Sequence, residues 1–228
     1  MIGLVGGLGT AAGIYYYRVL ERRFKSAGME MRLVLIHADI EIVLEAVRRN
    51  DAETLAAYLS SLILGMQRAG ATVAAIPAVA PHLCIEHLHQ LVPIPVVSVL
   101  KTIRETIDAL PDGERVALFG SSAVIRSNAY GAIDASRVVP MGHDAVELVN
   151  SLYSDIARSG SHGSSRERAA FDSLAEQMID EGARAIVLCG TDLSAFYSGY
   201  PPEYAFIDVA ERHIADILRY IKVDLDGG

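Results

Sequence analysis

The chain has 228 residues, 51% of them hydrophobic, and a formal net charge of −8 at pH 7. That length and apolar content suffice for one large domain or two small ones with a sizeable core. The negative charge excludes the broad basic surface that binds nucleic acid or an anionic membrane, so small molecules or protein partners are predicted instead.

The sequence also predicts a cytoplasmic protein that does not enter a membrane. Its two cysteines, Cys84 and Cys189, are too few for a disulfide scaffold. The apolar start at residues 1–5 is too short for a secretion signal, and no later apolar run reaches membrane-spanning length.

Short apolar runs alternate with longer amphipathic stretches along the whole chain, which predicts an α/β fold of mainly parallel strands joined by helices. The predicted strands are 2–5, 32–36, 72–76, 96–97, 116–119 and 185–188, with weaker candidates at 138–139 and 206–207. The predicted helices are 12–27, 40–47, 52–69, 100–109, 145–159, 165–181 and 209–221.

An internal repeat divides the chain near residue 110. The glycine that closes the first predicted strand is followed ten residues later by Tyr16, and its counterpart in the second half is followed ten residues later by Tyr130. Residues 68–78 also align without gaps on residues 180–190. This repeat indicates a duplicated α/β unit.

The duplication predicts two pseudo-symmetric half-domains with a cleft between them. The first half-domain is predicted to comprise residues 1–98 and 208–228, and the second residues 99–207. Because open α/β sheets bind ligands beyond the carboxyl ends of their strands, the loops that follow equivalent strands in the two halves are expected to line one pocket.

Five segments at the predicted strand ends occur in the order seen in the aspartate/glutamate racemase superfamily, which the chain resembles over nearly its whole length. The segments are 6–10, 37–40, 76–82, 120–122 and 190–193. The resemblance implies a small carboxylic or amino acid bound between two half-domains, no cofactor and a homodimer. It also implies an isomerase, because the amino-acid racemases of this family use two facing cysteines, one removing the α-proton while the other returns one.

Neither thiol position of that family carries a cysteine in this chain. Ala78 stands on the first position, followed by Val79 and Ala80 where the family has polar groups, and Gly190 stands on the second. The internal repeat independently pairs Ala78 with Gly190. Cys189 is therefore predicted to point away from the cleft as a buried, inert thiol, unless a bulge turns it into the site as a catalytic group.

Asp192 and His82 are the other candidates for acid–base chemistry. Asp192 stands on the glutamate of the family's Gly-Cys-Thr-Glu motif, and it either acts as a dehydrated base or simply holds its loop. His82 lies near a predicted helix start, where it is either an acid or a capping group. His87 and His89 do not share a helical face, so no metal site is predicted.

Hydroxyl groups at equivalent strand ends form a candidate carboxylate site. Thr10, Ser121 and Thr191 follow glycine-rich strand ends, where hydroxyls and backbone N–H groups together bind anions. The candidate substrate-binding residues are Gly9, Thr10, Val79, Ala80, Ser121, Ser122 and Thr191. The loop that contains His162 is a candidate cover for the cleft.

These residues predict a racemase-superfamily enzyme in which the two-thiol mechanism has been replaced. The open alternatives are a one-base racemase or isomerase that uses Cys189, lyase, decarboxylase or cyclase chemistry, and a non-catalytic carboxylate-binding protein. A nucleotide-binding site at residues 7–12 would rest on a G-x-G-x-x-A pattern alone, without the acidic residue expected near the end of the second strand.

Overall fold

A computed structural model of the protein describes residues 1–159 and 164–225. It contains two parallel β-sheets joined by helices, which confirms the predicted α/β class. The strands are β1 Ile2–Gly6, β2 Leu33–His37, β3 Val73–Ala75, β4 Val96–Val97, β5 Arg115–Phe119, β6 Ala183–Leu188 and β7 Phe206–Asp208. The α-helices are α1 Thr10–Ser26, α2 Ile40–Arg49, α3 Ala52–Arg68, α4 Ile85–Leu91, α5 Val99–Asp108, α6 Ser122–Arg126, α7 Asn128–Gly131, α8 His143–Ser159, α9 Ser165–Asp180, α10 Asp192–Tyr197 and α11 Val209–Leu225, with 3-10 helices at Ala80–Cys84 and Ala135–Arg137.

The two sheets share one topology. The first has the strand order β2-β1-β3-β4 and the second the order β5-β6-β7, and all the pairs are parallel. The weak strand candidate at 138–139 is present as a single parallel bridge between Val138 and Val116, on the β5 edge of the second sheet. With that bridge in the place of β2, the second sheet repeats the order of the first, as the duplication predicts.

Four short helices, α4, α6, α7 and α10, are absent from the sequence predictions. The clearest reason applies to α10, in which all six residues are buried. A helix buried on every side has no polar face, so its sequence lacks the 3.6-residue alternation that marks an amphipathic helix. The predicted strands and longer helices all have counterparts, with ends displaced by a few residues.

Two helices pack against the sheet of the opposite half of the chain. Val99, Ile103 and Ile107 of α5, which follows β4, belong to the hydrophobic cluster that surrounds β5 and β6. Ala210 and Ile214 of α11, which follows β7, belong to a cluster with β1 and β3. The chain thus crosses from one half to the other after each sheet is complete. The half-domain limits themselves stay a prediction.

Contacts between the halves bring α1 against α8 and α10, and α5 against α11. The α5–α11 contact includes a hydrogen bond of 2.5 Å from Thr102 Oγ1 to Asp216 Oδ2. Among the helices of residues 1–159 and 164–225, none is both long and apolar enough to span a lipid bilayer.

Candidate functional site

The loops at the carboxyl ends of the two sheets meet at one place. The Thr191 hydroxyl, after β6, donates a hydrogen bond of 2.8 Å to the Pro77 carbonyl, after β3. The Ala12 N–H, in the first turn of the helix after β1, donates one of 2.9 Å to Asp192 Oδ1. The Gly190 N–H reaches the Phe119 carbonyl at the end of β5, at 3.0 Å. The strand ends that the repeat makes equivalent therefore do converge.

Asp192 is the buried carboxylate at this meeting point. Its side chain is fully shielded from solvent, and the Ala12 N–H that it accepts is one of the first-turn groups that lack a partner within their own helix. The helix N-terminus is partially positive, so it stabilises a carboxylate there. The second oxygen, Oδ2, has no hydrogen bond of ordinary geometry from any described residue. One carboxylate oxygen of Asp192 is thus fixed by a hydrogen bond, and the other is free to accept one.

Burial raises the pKa of Asp192 from 3.8 to about 6, while hydrogen bonds from backbone N–H groups, that of Ala12 first among them, act in the opposite direction. Removing a carboxylate from water disfavours its charged form, and hydrogen bonds to that form offset only part of the penalty. A group that exchanges its proton near pH 6 is suited to acid–base catalysis at neutral pH.

Gly9 leaves the space that the Asp192 side chain fills. An ideal Cβ at Gly9 would lie 2.1 Å from Asp192 Oδ2, and the φ angle of Gly9 is +141°, a conformation that L-residues rarely adopt. Glycine is therefore needed here for both space and backbone conformation. The predicted site residue Gly9 contacts Asp192 and thereby lets it approach α1.

Position 190 is closed by an aromatic ring. An ideal Cβ at Gly190 would lie 2.3 Å from Cε2 and 2.6 Å from Cδ2 of Tyr153, a residue of α8. Gly190 is not among the residues with positive φ, so its backbone conformation does not require glycine. The lack of a side chain at position 190 is thus explained by the Tyr153 ring.

Cys189 has the environment of an inert thiol. Its side chain is 1% exposed and belongs to the hydrophobic cluster of the second sheet. Burial raises its pKa to about 12, so almost no thiolate is present at neutral pH. The irregularity in the β5–β6 pairing lies between Arg115 and Val116, at the opposite end of the strands, so it does not turn Cys189 into the cleft. Of the two predictions for this residue, the geometry favours the buried thiol over the catalytic group.

His82 connects backbone groups of two elements. Its Nδ1 lies 2.8 Å from the Ala78 carbonyl, and its Nε2 accepts the Val99 N–H at 3.3 Å. With Nε2 accepting, Nδ1 is the donor, so the ring is neutral; burial lowers its pKa to about 3. Both nitrogens are occupied, which favours the structural role predicted for His82 over the acid.

The second half contains a counterpart of this histidine. Ser194 stands at the position equivalent to His82 in the repeat, and its hydroxyl donates a hydrogen bond of 2.7 Å to Asp208, directly before α11. The backbone bond from His82 to Val79 is likewise matched by one from Ser194 to Thr191. His82 and Ser194 therefore each connect a loop to the start of the helix that crosses to the other half.

The predicted hydroxyl groups have three different environments. Thr10 is exposed at the start of α1, whereas Thr191 is fully buried and bonded to Pro77. The Ser121 hydroxyl is buried and has no hydrogen-bond partner within the described ranges. Ser122 offers its backbone N–H to Asn150 Oδ1 at 2.9 Å. Thr10 and Ser121 therefore keep hydrogen-bonding capacity that Thr191 has already used.

The residues predicted to form an apolar wall, Val79 and Ala80, follow β3 of the first sheet. Ala78 and Val79 are 4% and 2% exposed, and Val79 packs into the hydrophobic cluster of the second sheet. Ala80 is partly buried against the same cluster. The loop around His162, predicted as a cover, lies outside the described residues.

Replacement of Thr191 by valine is expected to lower the free energy of unfolding by about 1–2 kcal/mol, because the buried Pro77 carbonyl loses its donor. Urea unfolding would measure this. The control is Thr72→Val, whose exposed hydroxyl lies 3.4 Å from the Met1 carbonyl and should matter by less than about 0.5 kcal/mol. Equal small effects would show that the Thr191 bond does not hold the halves together.

Comparison with known proteins identifies the family to which this geometry belongs. The family model for Asp/Glu/hydantoin racemases matches residues 5–217. The chain belongs to the Asp/Glu/hydantoin racemase family. Its fold is similar to that of an aspartate racemase homologue from Pyrococcus horikoshii, with a TM-score of 0.73 and 19% identity over 96% of this chain and 97% of that one.

Two further solved structures have the same fold. An aspartate racemase from Picrophilus torridus gives a TM-score of 0.71 at 16% identity, over 96% of this chain and 93% of that one. A glutamate racemase from Bacillus anthracis gives 0.64 at 13% identity, over 98% and 82%. At these identities the likeness shows a common fold, so the chemistry must be argued from the side chains of this chain.

Two residues near the site, Tyr153 and Asn150, were missed by the sequence analysis. They lie one turn apart on α8, and both face the loops of the second sheet. They belong to no motif, and an asparagine and a tyrosine in an amphipathic helix give no signal of their own. The helical spacing alone could have placed them on one face, without showing what that face contacts.

Proposed function

We propose that this protein is an isomerase that binds a small carboxylic or amino acid between its halves and transfers a proton with Asp192 instead of a thiol pair. The observation that carries this proposal is the Asp192 carboxylate itself, which is fully buried at the junction of the halves and has one oxygen without a hydrogen bond. A buried polar atom without a partner is uncommon in proteins and calls for an explanation.

The reaction that fits this group is proton transfer at the carbon next to the substrate carboxylate. Asp192 accepts the proton, and the electron pair of the broken C–H bond is delocalised into the substrate carboxylate. The proton, or one from solvent that has exchanged with it, then returns to the opposite face of the same carbon, which inverts the configuration and makes the reaction an isomerisation. General acid–base catalysis of this kind contributes about 10²- to 10⁴-fold to a rate.

Substrate binding is assigned to groups that keep free hydrogen-bonding capacity. Thr10 is exposed at the N-terminus of α1, and the Ser121 hydroxyl is unpartnered. Val79 and Ala80, in the loop after β3, are apolar, which favours a substrate with an apolar substituent. We also assign a cytoplasmic homodimer without a cofactor to this protein, as its family membership suggests.

Hydrogen–deuterium exchange tests this function on many candidate substrates at once. The protein would be incubated in D2O with a panel of D- and L-amino acids and small carboxylic acids, and the α-proton signal followed by NMR. We expect one class to lose its α-proton signal, with a rate that rises as the pH increases through about 6, because the base must be ionised.

Two variants separate the carboxylate from the thiol. Asp192→Asn should slow the exchange by about 100-fold or more, and Cys189→Ala should leave it unchanged. A folded but inactive Cys189→Ala protein would establish thiol chemistry instead. Loss of carbon dioxide without exchange would indicate a decarboxylase, and binding without either reaction would indicate a non-catalytic carboxylate-binding protein.

A further inference from the structure

A buried tyrosine–histidine pair connects α1 to the point where the chain leaves the first sheet. The Tyr16 hydroxyl lies 2.9 Å from His213 Nδ1, and His213 Nε2 lies 2.9 Å from the Val97 carbonyl at the end of β4. Both side chains are 0% exposed. Two hydrogen bonds in series thus join α1, through α11, to the segment that crosses between the halves.

The direction of both hydrogen bonds follows from the Val97 carbonyl. A carbonyl oxygen can only accept, so His213 Nε2 carries a proton. Burial lowers the pKa of His213 to about 4, so the ring is neutral at pH 7 and its Nδ1 is an acceptor. The Tyr16 hydroxyl therefore donates to Nδ1. Because a buried group that loses its partner pays a desolvation penalty, these two bonds restrain α1 at this point.

Tyr16 and the backbone group that binds Asp192 lie on the same face of α1. Ala12, whose N–H donates to Asp192 Oδ1 at 2.9 Å, precedes Tyr16 by four residues, which is about one helical turn. Holding the Tyr16 side chain therefore also restrains the Ala12 N–H. The pair acts on the carboxylate through the backbone of α1.

Other side-chain bonds between α1 and α11 lie nearer the solvent. Tyr15 donates its hydroxyl to Glu211 Oε1 at 2.9 Å, and Arg23 Nη2 lies 3.5 Å from Glu211 Oε2. The Arg23 side chain is 57% exposed, and exposed ion pairs contribute little to stability. The buried bond from Tyr16 is therefore the stronger restraint on α1.

The repeat indicates that the fold does not require a histidine at this place. Because β3 and β6 are equivalent in the repeat, their registers with β4 and β7 align Val97 with Ile207. Six residues beyond these lie Ile103 in α5 and His213 in α11, which are thus counterparts. Ile103 is buried in the core of the second sheet. An apolar residue therefore serves at the same place in the other crossover helix.

The counterpart of Tyr16 has a hydroxyl without a partner. Tyr130 stands at the equivalent position of the second half, and its buried hydroxyl has no hydrogen bond within the described part of the chain. Of these two equivalent places, only the one beside the helix that reaches Asp192 has the tyrosine–histidine pair. This difference favours a role of the pair at Asp192 over a role in the folding of each half.

We propose that Tyr16 and His213 are positioning residues, which hold the start of α1 so that the Ala12 N–H stays within hydrogen-bond reach of Asp192. This inference rests on the function proposed above, in which Asp192 is the base. The Ala12 N–H fixes Oδ1, so the orientation of the free oxygen, Oδ2, depends on where α1 lies.

Tyr16→Phe tests this role, since it keeps the ring and removes only the hydroxyl. The full-chain variant would be assayed by deuterium exchange with the acid that loses its α-proton signal in the panel above. We expect kcat to fall about 10-fold, because a displaced base reacts more slowly, and KM to change by less than about 2-fold. Tyr130→Phe, the matched control, should leave both constants unchanged. A raised KM with an unchanged kcat would overturn the inference.

His213→Leu shows whether the Tyr16 hydroxyl acts through the histidine. The apolar counterpart Ile103 indicates that a crossover helix accepts leucine at this place. We expect kcat to fall about 10-fold here too. Adding Tyr16→Phe should then lower kcat by less than about a further 2-fold, because the hydroxyl has already lost its acceptor. Losses of kcat that multiply in the double variant would contradict the proposed pair.

The Ala12 amide signal in NMR gives a readout that does not need activity. The chemical shift of an amide proton depends on the length of its hydrogen bond, so Asp192→Ala shows where the signal lies without that bond. In Tyr16→Phe the Ala12 signal should move toward that position, and in Tyr130→Phe it should stay at the wild-type position. An unmoved signal in Tyr16→Phe would overturn the inference. A moved signal in a protein without exchange activity would support the link from Tyr16 to Asp192 and contradict the proposed function instead.

Discussion

Replacement of Asp192 by asparagine is expected to make the protein more stable at neutral pH while it removes activity. Burial raises the pKa of Asp192 from 3.8 to about 6, so the folded state holds this proton more tightly than the unfolded chain does. The tightly held proton of Asp192 contributes about 3 kcal/mol to the free energy of unfolding. This contribution is fully present below pH 3.8 and is lost as the pH rises to about 6. Asparagine carries no charge, keeps an oxygen for the Ala12 N–H and avoids this loss.

Urea unfolding at several pH values would measure this difference. We expect the variant to gain about 1–2 kcal/mol over the wild type above pH 6, because its new amide N–H₂ offsets part of the gain where Oδ2 had no partner. The gain should shrink between pH 6 and 4. In the control Asp134→Asn, hydrogen bonds from Ser136 lower the pKa of the native carboxyl, so no gain is expected. A variant less stable than wild type at pH 7 would show that the Asp192 charge is well accommodated.

A stabilising substitution that abolishes activity is the signature of a group retained for function. Isolated carboxylates are buried only at a cost in stability, and proteins store such costs where chemistry requires them. The same substitution at a merely structural Asp192 would be neutral in the exchange assay, so stability and activity together separate the two roles.

The fold could be predicted from the sequence because its signals are local and repeated. Parallel strands such as β1 and β6 are short apolar runs that end at glycine or a polar loop, and the long helices between them are amphipathic. The repeat supplied the register, and the equivalent backbone bonds of His82 and Ser194 agree with it. The left-handed turn at Asn128, Ala129 and Tyr130 has no such signal, because it places three non-glycine residues at positive φ.

For the site, the sequence predicted which residues meet but not which partners they take. Thr191 was expected to bind substrate because hydroxyls at strand ends bind anions, yet its donor is taken by Pro77. His82 has the right chemistry for an acid, but two backbone groups occupy its nitrogens. Partners of this kind come from other parts of the chain and are fixed by tertiary packing.

The sequence shows that position 190 has no side chain, but it does not show why. Two alignments placed Gly190 on a thiol position, and either a loss of function or a rebuilt site would explain that. The Tyr153 ring shows that the space has been filled from α8. A filled space means that restoring a side chain at position 190 cannot by itself restore the family's usual site.

Introduction of even a methyl group at position 190 is therefore expected to be strongly destabilising. Gly190→Ala places a Cβ 2.3 Å from the Tyr153 ring, and such overpacking should lower the free energy of unfolding by about 3 kcal/mol. The control Gly142→Ala adds the same atom where nothing lies within 4 Å, so it should change stability by less than about 0.5 kcal/mol.

A double-mutant cycle shows whether the Tyr153 ring is the obstacle. Tyr153→Ala is itself destabilising, since it leaves a cavity beside the second core, but in that background Gly190→Ala should cost less than about 1 kcal/mol. The resulting coupling of about 2 kcal/mol, measured by urea unfolding of the four proteins, would establish that residues 153 and 190 compete for one space. An equal cost of Gly190→Ala in both backgrounds would mean that the backbone at position 190, and not the ring, requires glycine, and that residues 153 and 190 do not compete for one space.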